Sequence, residues 1–169
     1  MENKLTLEHL APYLPYGVKF INIERVYFGG INKDSYSEKR GELAYTNKRV
    51  GKIKGYKDGK ILTTIGYFKI EEPTFTFIGA HVTHNNERKL ILRPLSDLTK
   101  EIEHNGDKFV PCEQFKYDME CMLKEYDVDL DCMPYNVINS LIEWHFDIFS
   151  LIDKGLAVDI NTLKGGQDV

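Results

Sequence analysis

The chain has 169 residues, of which 42% are hydrophobic and 12% aromatic, and its formal net charge is −4 at pH 7. This length and apolar content suffice for one core, so we expect a single domain over residues 1–169 that needs neither disulfides nor a structural metal. Three cysteines without Cys-x-x-Cys spacing argue further against a disulfide framework and a zinc site. The sequence has no run of about eighteen uncharged apolar residues and no apolar signal segment after Met1, which predicts a cytoplasmic protein that does not enter a membrane.

The charge is divided unevenly along the chain. Residues 1–70 hold thirteen Lys and Arg against seven Asp and Glu, a net of +6, and residues 71–169 hold nine against nineteen, a net of −10. Such a division is compatible with a nucleic-acid surface, with attraction between two layers or two copies of the chain, and with a charged protein partner.

A short helix followed by strands is predicted for residues 1–94, which we expect to be mainly β and basic. Thr6 is a suitable N-cap, and Pro12 and Pro15 limit the helix after it to about two turns. Segments rich in β-branched and aromatic residues then predict strands at about 18–28, 41–47, 49–56, 61–70, 74–84 and 89–95.

Turn signals connect these strands. Asp58-Gly59 favours the positive φ angles of a two-residue hairpin turn, and the segment from Asn85 to Arg88 favours a second turn. Six strands at short spacing indicate an antiparallel sheet over about 17–93, curled or barrel-like, with one face available for helices. The polar segment 31–40 predicts a loop.

Helical periodicity dominates residues 95–169, which we expect to be mainly α and acidic. A wide apolar face bounded by Pro134 and Gly155 predicts the longest helix. The predicted helices lie at about 95–103, 113–126 and 135–154. Together with the sheet they give an α+β fold, and 156–160 predicts a last strand.

His145 falls inside the apolar arc of the predicted helix 135–154, next to Trp144. We therefore expect both side chains to be shut away from water, with a neutral histidine whose ring nitrogen is hydrogen-bonded in the core. The alternative is a catalytic base or a buried pH-sensitive group.

One acidic segment resembles the beginning of a calcium-binding loop. Asp127, Asp129 and Asp131 have the alternating spacing that brings carboxylates onto one ion. Cys132 stands where that loop needs glycine, and Ile138 stands where it needs a bidentate glutamate. The segment therefore reads as a solvated connection between two helices.

Other metal and catalytic motifs are incomplete. His81 and His84 would point to opposite faces of a strand, so a metal site would need a bend and a further ligand such as His104 or Asp107. The sequence contains no nucleophile motif and no glycine-rich phosphate loop. We predict no metal and no cofactor, and the sequence argues against an enzyme without excluding one.

Basic residues concentrate around the predicted hairpin, with Asp58 as the only acid among them. Phosphate neutralisation with aromatic stacking is how a β surface holds single-stranded nucleic acid. The alternatives are lysines that keep an exposed hairpin soluble, or docking on an acidic protein, including a second copy of the chain. The candidate nucleic-acid-binding residues are Lys48, Arg49, Lys52, Lys54, Tyr56, Lys57 and Lys60.

Four segments resemble a group of small uncharacterised proteins encoded by phages and prophages of Bacteroidetes. The segments are LTLEHLAPYLPYGVKF, LILRPLSDLTKEI, KFVPCEQF and LIEWHFDIFSLIDKGLAVDINTL, so the resemblance covers both ends and the centre of the chain. The resemblance implies a phage-derived cytosolic setting. It implies no activity, because none is assigned to the group, and no functional residue is carried over.

Three functions follow from these observations. The first is a non-catalytic phage accessory protein that acts by binding another protein and that could form homo-oligomers. The second is a nucleic-acid-binding module that uses the basic hairpin 48–60. The third is a small enzyme with an unrecognised site.

Overall fold

The computed structural model describes residues 5–28, 42–69, 75–77, 82–115 and 133–163. The strands are β1 (Lys19–Phe28), β2 (Glu42–Lys57), β3 (Lys60–Thr63), β4 (Gly66–Phe68), β5 (Phe75–Phe77), β6 (Val82–Leu92), β7 (Ile102–His104), β8 (Asp107–Phe109) and β9 (Ala157–Asp159). The α-helices are α1 (Leu7–Leu10), α2 (Pro111–Gln114), α3 (Tyr135–Glu143) and α4 (Ile160–Leu163), and 3₁₀ helices span Ala11–Tyr16 and Leu95–Asp97. The predicted α+β class is confirmed.

Most of the strands form one large sheet. Its order is β4-β3-β2-β1-β6-β5, with antiparallel neighbours throughout, and β9 adds to β6 in parallel. The predicted large antiparallel sheet is confirmed. Among the described strands it is not closed into a barrel, because the two ends of the order are the three-residue strands β4 and β5, which do not pair with each other. Strands β7 and β8 form a separate hairpin.

The Asp58-Gly59 hairpin is confirmed. Lys57 pairs with Lys60 across it, and Asp58 and Gly59 take φ angles of 50° and 76°, as the twist of a two-residue turn requires. The division of the preceding segment into two strands is wrong, since β2 is one strand of sixteen residues. Its long ladder with β1 keeps it extended.

The predicted turn at Asn85-Asn86 is also wrong, because β6 passes through it without interruption. Asn85 and Asn86 lie opposite Arg25 and Glu24 of β1, and Asn85 also lies opposite Phe75 of β5. Pairing with neighbours on both sides overrides the preference of asparagine for turns. Tertiary context therefore decides the conformation here.

The main core lies between one face of the sheet and the segments at the two ends of the described chain. The N-terminal turns contribute Leu10 and Tyr13, and the Tyr13 hydroxyl donates a 2.7 Å hydrogen bond to the Phe146 carbonyl. This bond connects the N-terminal 3₁₀ helix to the residues after α3. The other large, fully buried side chains of the cluster are Val18, Ile53, Ile61, Leu90, Leu92, Leu98, Leu141 and Leu151.

The long helix predicted for 135–154 is wrong in its second half. Helix α3 ends at Glu143, His145 takes a left-handed φ of 63°, and Phe146 forms a parallel bridge with Arg93. The Asp147 carboxylate then accepts 2.8 Å hydrogen bonds from the backbone N–H groups of Leu151 and Ile152. A buried carboxylate inside the apolar stretch thus organises a series of turns.

The rest of the C-terminal part is less helical than predicted. The helix expected at 95–103 is replaced by the short 3₁₀ helix and by β7, whose hairpin turns at Asn105-Gly106. A chain that must pair β7 with β8 cannot stay helical there. Helix α2 covers only the start of the helix predicted at 113–126, and the remainder lies outside the described residues. The last predicted strand is confirmed as β9.

Candidate functional site

The strand register divides the side chains of the sheet between two faces. Phe20 lies opposite Gly51 of β2 and Leu90 of β6, and this face packs in the core. Residues at the alternate positions point to the other face, which we call the outer face. Lys19 and Lys52 lie opposite each other on it.

The structure brings four of the seven predicted nucleic-acid-binding residues onto the outer face. Their register partners place them there: Lys48 opposite Ile23, Lys52 opposite Lys19, and Lys57 opposite Lys60. The hairpin lysines share this face as well. Buried Ile61 points into the core, so its neighbours Lys60 and Leu62 point to the outer face, and Lys57 is the register partner of Lys60.

The other three predicted residues do not join this row. Arg49 lies on the opposite face, where its Nη2 is 4.0 Å from Glu24 Oε2. Tyr56 lies opposite buried Ile61 and thus on the core side, although 48% of its surface is exposed. Lys54 sits in the register shift between Ile53 and Gly55.

Tyr67 and Leu62, which are not among the seven predicted residues, also lie on the outer face. Tyr67 is 61% exposed and lies opposite Leu62, which is 37% exposed. The Lys60 Nζ atom is 4.3 Å from the centre of the Tyr67 ring, a cation–π contact. The sequence already indicates Tyr67 as an aromatic residue near the basic hairpin, and its alternation with buried Phe68 places it on the outer face.

A cleft of about 230 Å³ opens at one end of the outer face, beside Lys52. Three cations and one carboxylate line it, together with two histidines, in a protein whose overall net charge is −4. The lining side chains that carry charge or titrate are Lys19, Lys52, Arg93, Glu103, His104, Tyr16 and His145. This local excess of positive charge favours an anionic ligand.

Backbone contacts from distant segments assemble the cleft. The Arg93 N–H donates to the His145 carbonyl at 2.8 Å, and the Asp147 N–H donates to the Arg93 carbonyl at 2.8 Å. The guanidinium of Arg93 donates from Nη2 to the Glu103 carbonyl of β7 at 2.7 Å. Arg93 therefore connects the end of β6 both to the turn after α3 and to the β7–β8 hairpin.

Gly17 allows Lys52 to reach the cleft. It ends the N-terminal 3₁₀ helix with a left-handed φ of 62°, and a Cβ atom there would lie 2.5 Å from Lys52 Cε. Any other residue at this position would be strained and would push the lysine stem aside.

His145 has a defined tautomer. Its Nε2 lies 3.1 Å from the carbonyl oxygen of Tyr16, which can only accept, so Nε2 carries the proton and Nδ1 is left as an acceptor. Burial lowers the pKa of His145 to about 4, and the hydrogen bond to Tyr16 opposes this effect only in part. The ring is therefore neutral at pH 7.

His104 lies beside it, with 5.6 Å between the two ring centres and an edge-to-face arrangement. Burial also lowers the pKa of His104, and the charge of Glu143 partly opposes that shift. The cleft thus holds two adjacent neutral imidazoles. The expected neutral His145 with a hydrogen-bonded ring nitrogen is confirmed, whereas its expected place in the closed core is wrong, because the helix ends before it and the ring lines the cleft.

Two polar atoms at the cleft have no hydrogen-bond partner within the described ranges. They are Nε of Arg93 and Nε2 of His104, and both atoms are buried. Buried polar atoms are nearly always paired, so these two mark a place where a ligand could accept hydrogen bonds. Burial also lowers the pKa of Arg93, while Asp97 and Glu103 oppose that shift.

We expect the protein to lose stability as the pH falls from about 6.5 towards 4. The unfolded chain protonates His145 near pH 6.5, whereas the folded protein does so only near pH 4. The unfolded state therefore binds more protons in this window, and acidification to pH 4.5 should cost about 2–3 kcal/mol through this residue. Urea unfolding at pH 7.5 and 4.5 measures the loss.

His145→Asn is the control variant, because asparagine tolerates the left-handed backbone and does not titrate. Its stability should fall less between the two pH values than that of the wild type. An equal fall in both proteins would show that His145 protonates as easily in the folded state as in the unfolded chain.

The described residues contain neither a cluster of metal ligands nor a membrane-spanning helix. No three His, Cys, Asp or Glu side chains among them cluster closely enough to hold a metal ion. His104 and Asp107 pair across the β7–β8 hairpin, whereas His81 and the segment from Asp127 to Asp131 lie outside the described residues. None of the helices that the structure describes combines the length and apolar content needed to cross a membrane.

In comparisons with known proteins, no protein-family model, curated protein or solved structure matched this chain.

Proposed function

We propose that the protein binds single-stranded nucleic acid along the outer face of β2, β3 and β4. Of the two binding functions expected from the sequence, this is the one that the residue positions favour. The supporting observation is that Lys57, Lys60 and Tyr67 share one face with Lys48 and Lys52. The resemblance to phage proteins suggests a bacterial cell that carries phage genes as the setting.

Four lysines on the outer face, which we call the lysine row, supply the electrostatic attraction for this function: Lys48, Lys52, Lys57 and Lys60. From Lys48 to Lys57 the strand extends about 30 Å at roughly 3.3 Å per residue, which is long enough to follow several phosphates. These side chains are exposed or half-buried, so their charges can reach a ligand. Lys19 and Arg93 extend the positive charge into the cleft.

Tyr67 supplies an aromatic surface for base stacking, which lysines alone cannot provide. Lysines that merely protect a sheet edge need no aromatic ring beside them. Here the tyrosine ring is exposed next to Leu62 and is held by Lys60, which is the arrangement of a platform on which a base can stack. Aromatic and cationic groups at this spacing favour a nucleic-acid strand over a purely electrostatic partner.

The test is fluorescence anisotropy with labelled oligo-dT and oligo-U between 50 and 300 mM salt. We expect binding at low salt, and a plot of log K against log salt with a slope of about −3, from four lysines at about 0.7 per phosphate contact. Tyr67→Ser should weaken binding by about 1–3 kcal/mol, because one stacked base is lost.

Tyr135→Ser provides the matched control. Tyr135 is 79% exposed on α3, away from the outer face, and its loss should leave the affinity unchanged. Equal losses for the two tyrosine variants, or no binding at 50 mM salt, would contradict the proposal. The protein-binding function expected from the sequence stays a prediction.

A further inference from the structure

We infer that the cleft between Arg93, His104 and His145 is a binding site for a phosphate monoester group. The inference rests on the proposed function in one respect, since it names the terminal phosphate of a nucleic-acid strand as one source of that group. A small free phosphorylated compound is the other source, and both present the same chemistry to the cleft.

The two unpartnered atoms define where the oxyanion would bind. Arg93 Nε is a donor, and His104 Nε2 is a donor in the tautomer that carries its proton there. An oxyanion bound in the cleft beside these two side chains would supply an acceptor to buried groups that lack a partner among the described residues. Because Arg93 Nη2 is already held by the Glu103 carbonyl, the guanidinium is fixed in position before any ligand arrives.

The charged residues of the cleft determine which sign of ligand charge is favoured, and the volume of the cleft limits the size of the ligand. Lys19, Lys52 and Arg93 outnumber Glu103 among the lining residues, which favours an anion in the cleft. The carboxylates of Asp97 and Glu143 act on Arg93 and His104 from outside the lining and reduce this positive excess. The planar guanidinium suits a tetrahedral oxyanion, and Lys52 adds a mobile point charge. A volume of about 230 Å³ lies below the roughly 300–1,000 Å³ of drug-sized sites, which suits one phosphate and part of a sugar.

His145 distinguishes a phosphate monoester from other anions. Its Nδ1 is left as an acceptor because Nε2 donates to the Tyr16 carbonyl. A sugar hydroxyl next to the phosphate can donate to this nitrogen, whereas a simple carboxylate cannot. The cleft therefore offers donors, positive charge and one acceptor within a small space.

Titration with inorganic phosphate, followed by the imidazole signals of His104 and His145 in NMR spectra, tests the site. We expect saturable shifts of both rings and no comparable effect from sodium acetate at equal ionic strength. Arg93→Gln and His104→Leu should each weaken phosphate binding about tenfold or more, because each removes a charge-assisted or buried hydrogen bond. Backbone spectra of the two variants report whether the fold is retained. Absence of saturation, or equal shifts with acetate, would overturn the inference.

A second arm distinguishes the two sources of the phosphate. Oligonucleotides with a terminal phosphate should bind the wild type about tenfold more tightly than the same strands with a terminal hydroxyl, and this preference should disappear in Arg93→Gln. Phosphate binding without this preference would support a small free ligand. Oligonucleotide binding without any phosphate binding would overturn the cleft inference alone, and phosphate binding without oligonucleotide binding would overturn the proposed function alone.

Discussion

Replacing Asp147 by alanine should lower the free energy of unfolding by about 3–4 kcal/mol. Asp147 is only 6% exposed, and its two carboxylate oxygens accept the N–H groups of Leu151 and Ile152 at 2.8 Å. Alanine would leave both donors unpaired in a buried turn, at about 1–3 kcal/mol for each. Urea unfolding at pH 7 measures the change.

Two further variants separate the hydrogen bonds from a general effect of removing an acid. Asp147→Asn keeps the shape and one acceptor oxygen, so it should cost about half as much as the alanine variant. Asp153→Ala removes an exposed carboxylate of the same turn region and should stay within about 0.5 kcal/mol of the wild type. A cost for Asp147→Ala as small as that for Asp153→Ala would contradict this account of the turn.

Lys52→Glu should have the largest effect on nucleic-acid affinity, a loss of about tenfold or more at 50 mM salt. Lys52 belongs both to the lysine row and to the cleft, and it lies opposite Lys19. Glutamate would remove one phosphate contact and place a negative charge where the strand passes. Anisotropy with oligo-dT should also show a shallower salt dependence, with the slope reduced by at least about 0.7.

Lys154→Glu is the matched control, because it changes the net charge by the same amount at an exposed position in the turns after α3. Its effect on affinity should be small and should come only from the long-range charge of the protein. If the two variants weaken binding equally, the interaction depends on net charge and the outer face is not its site.

Local signals predicted the parts of the fold that depend on a few neighbouring residues. Asp58-Gly59 forms the turn that its dipeptide favours, and Thr6 begins a helix that the two prolines convert into a 3₁₀ segment. Residues 156–160 contain strand β9, although its parallel pairing with β6 could not be read from the sequence. Such elements follow from turn and capping chemistry.

The errors arose where tertiary contacts override local preference. Asn85 and Asn86 stay extended because β1 pairs with them, and the helical pattern continues beyond Glu143 although the helix does not. Ile148 and Leu151 remain buried in the turns that follow, so apolar periodicity could not reveal the break. Buried Asp147 is the residue that could have signalled it.

The cleft could not be predicted for a related reason. Its histidines and its arginine come from the end of β6, from β7 and from the turn after α3, and they are brought together by the bridge from Arg93 to Phe146 and by the hydrogen bonds of Arg93 to the His145 and Glu103 carbonyls. The lysine row was partly predictable, since the basic hairpin is visible in the sequence. Which of its side chains share a face depends on the register shift near Gly55.

Backbone NMR spectra recorded during titration with oligo-dT show whether a nucleic-acid strand lies on the outer face of β2, β3 and β4. We expect the amide signals of Lys52, Lys57, Lys60, Leu62 and Tyr67 to shift as the oligonucleotide is added, while those of α3 stay in place. Shifts confined to α3 and the turns after it, or none at saturating oligonucleotide, would contradict this placement of the strand.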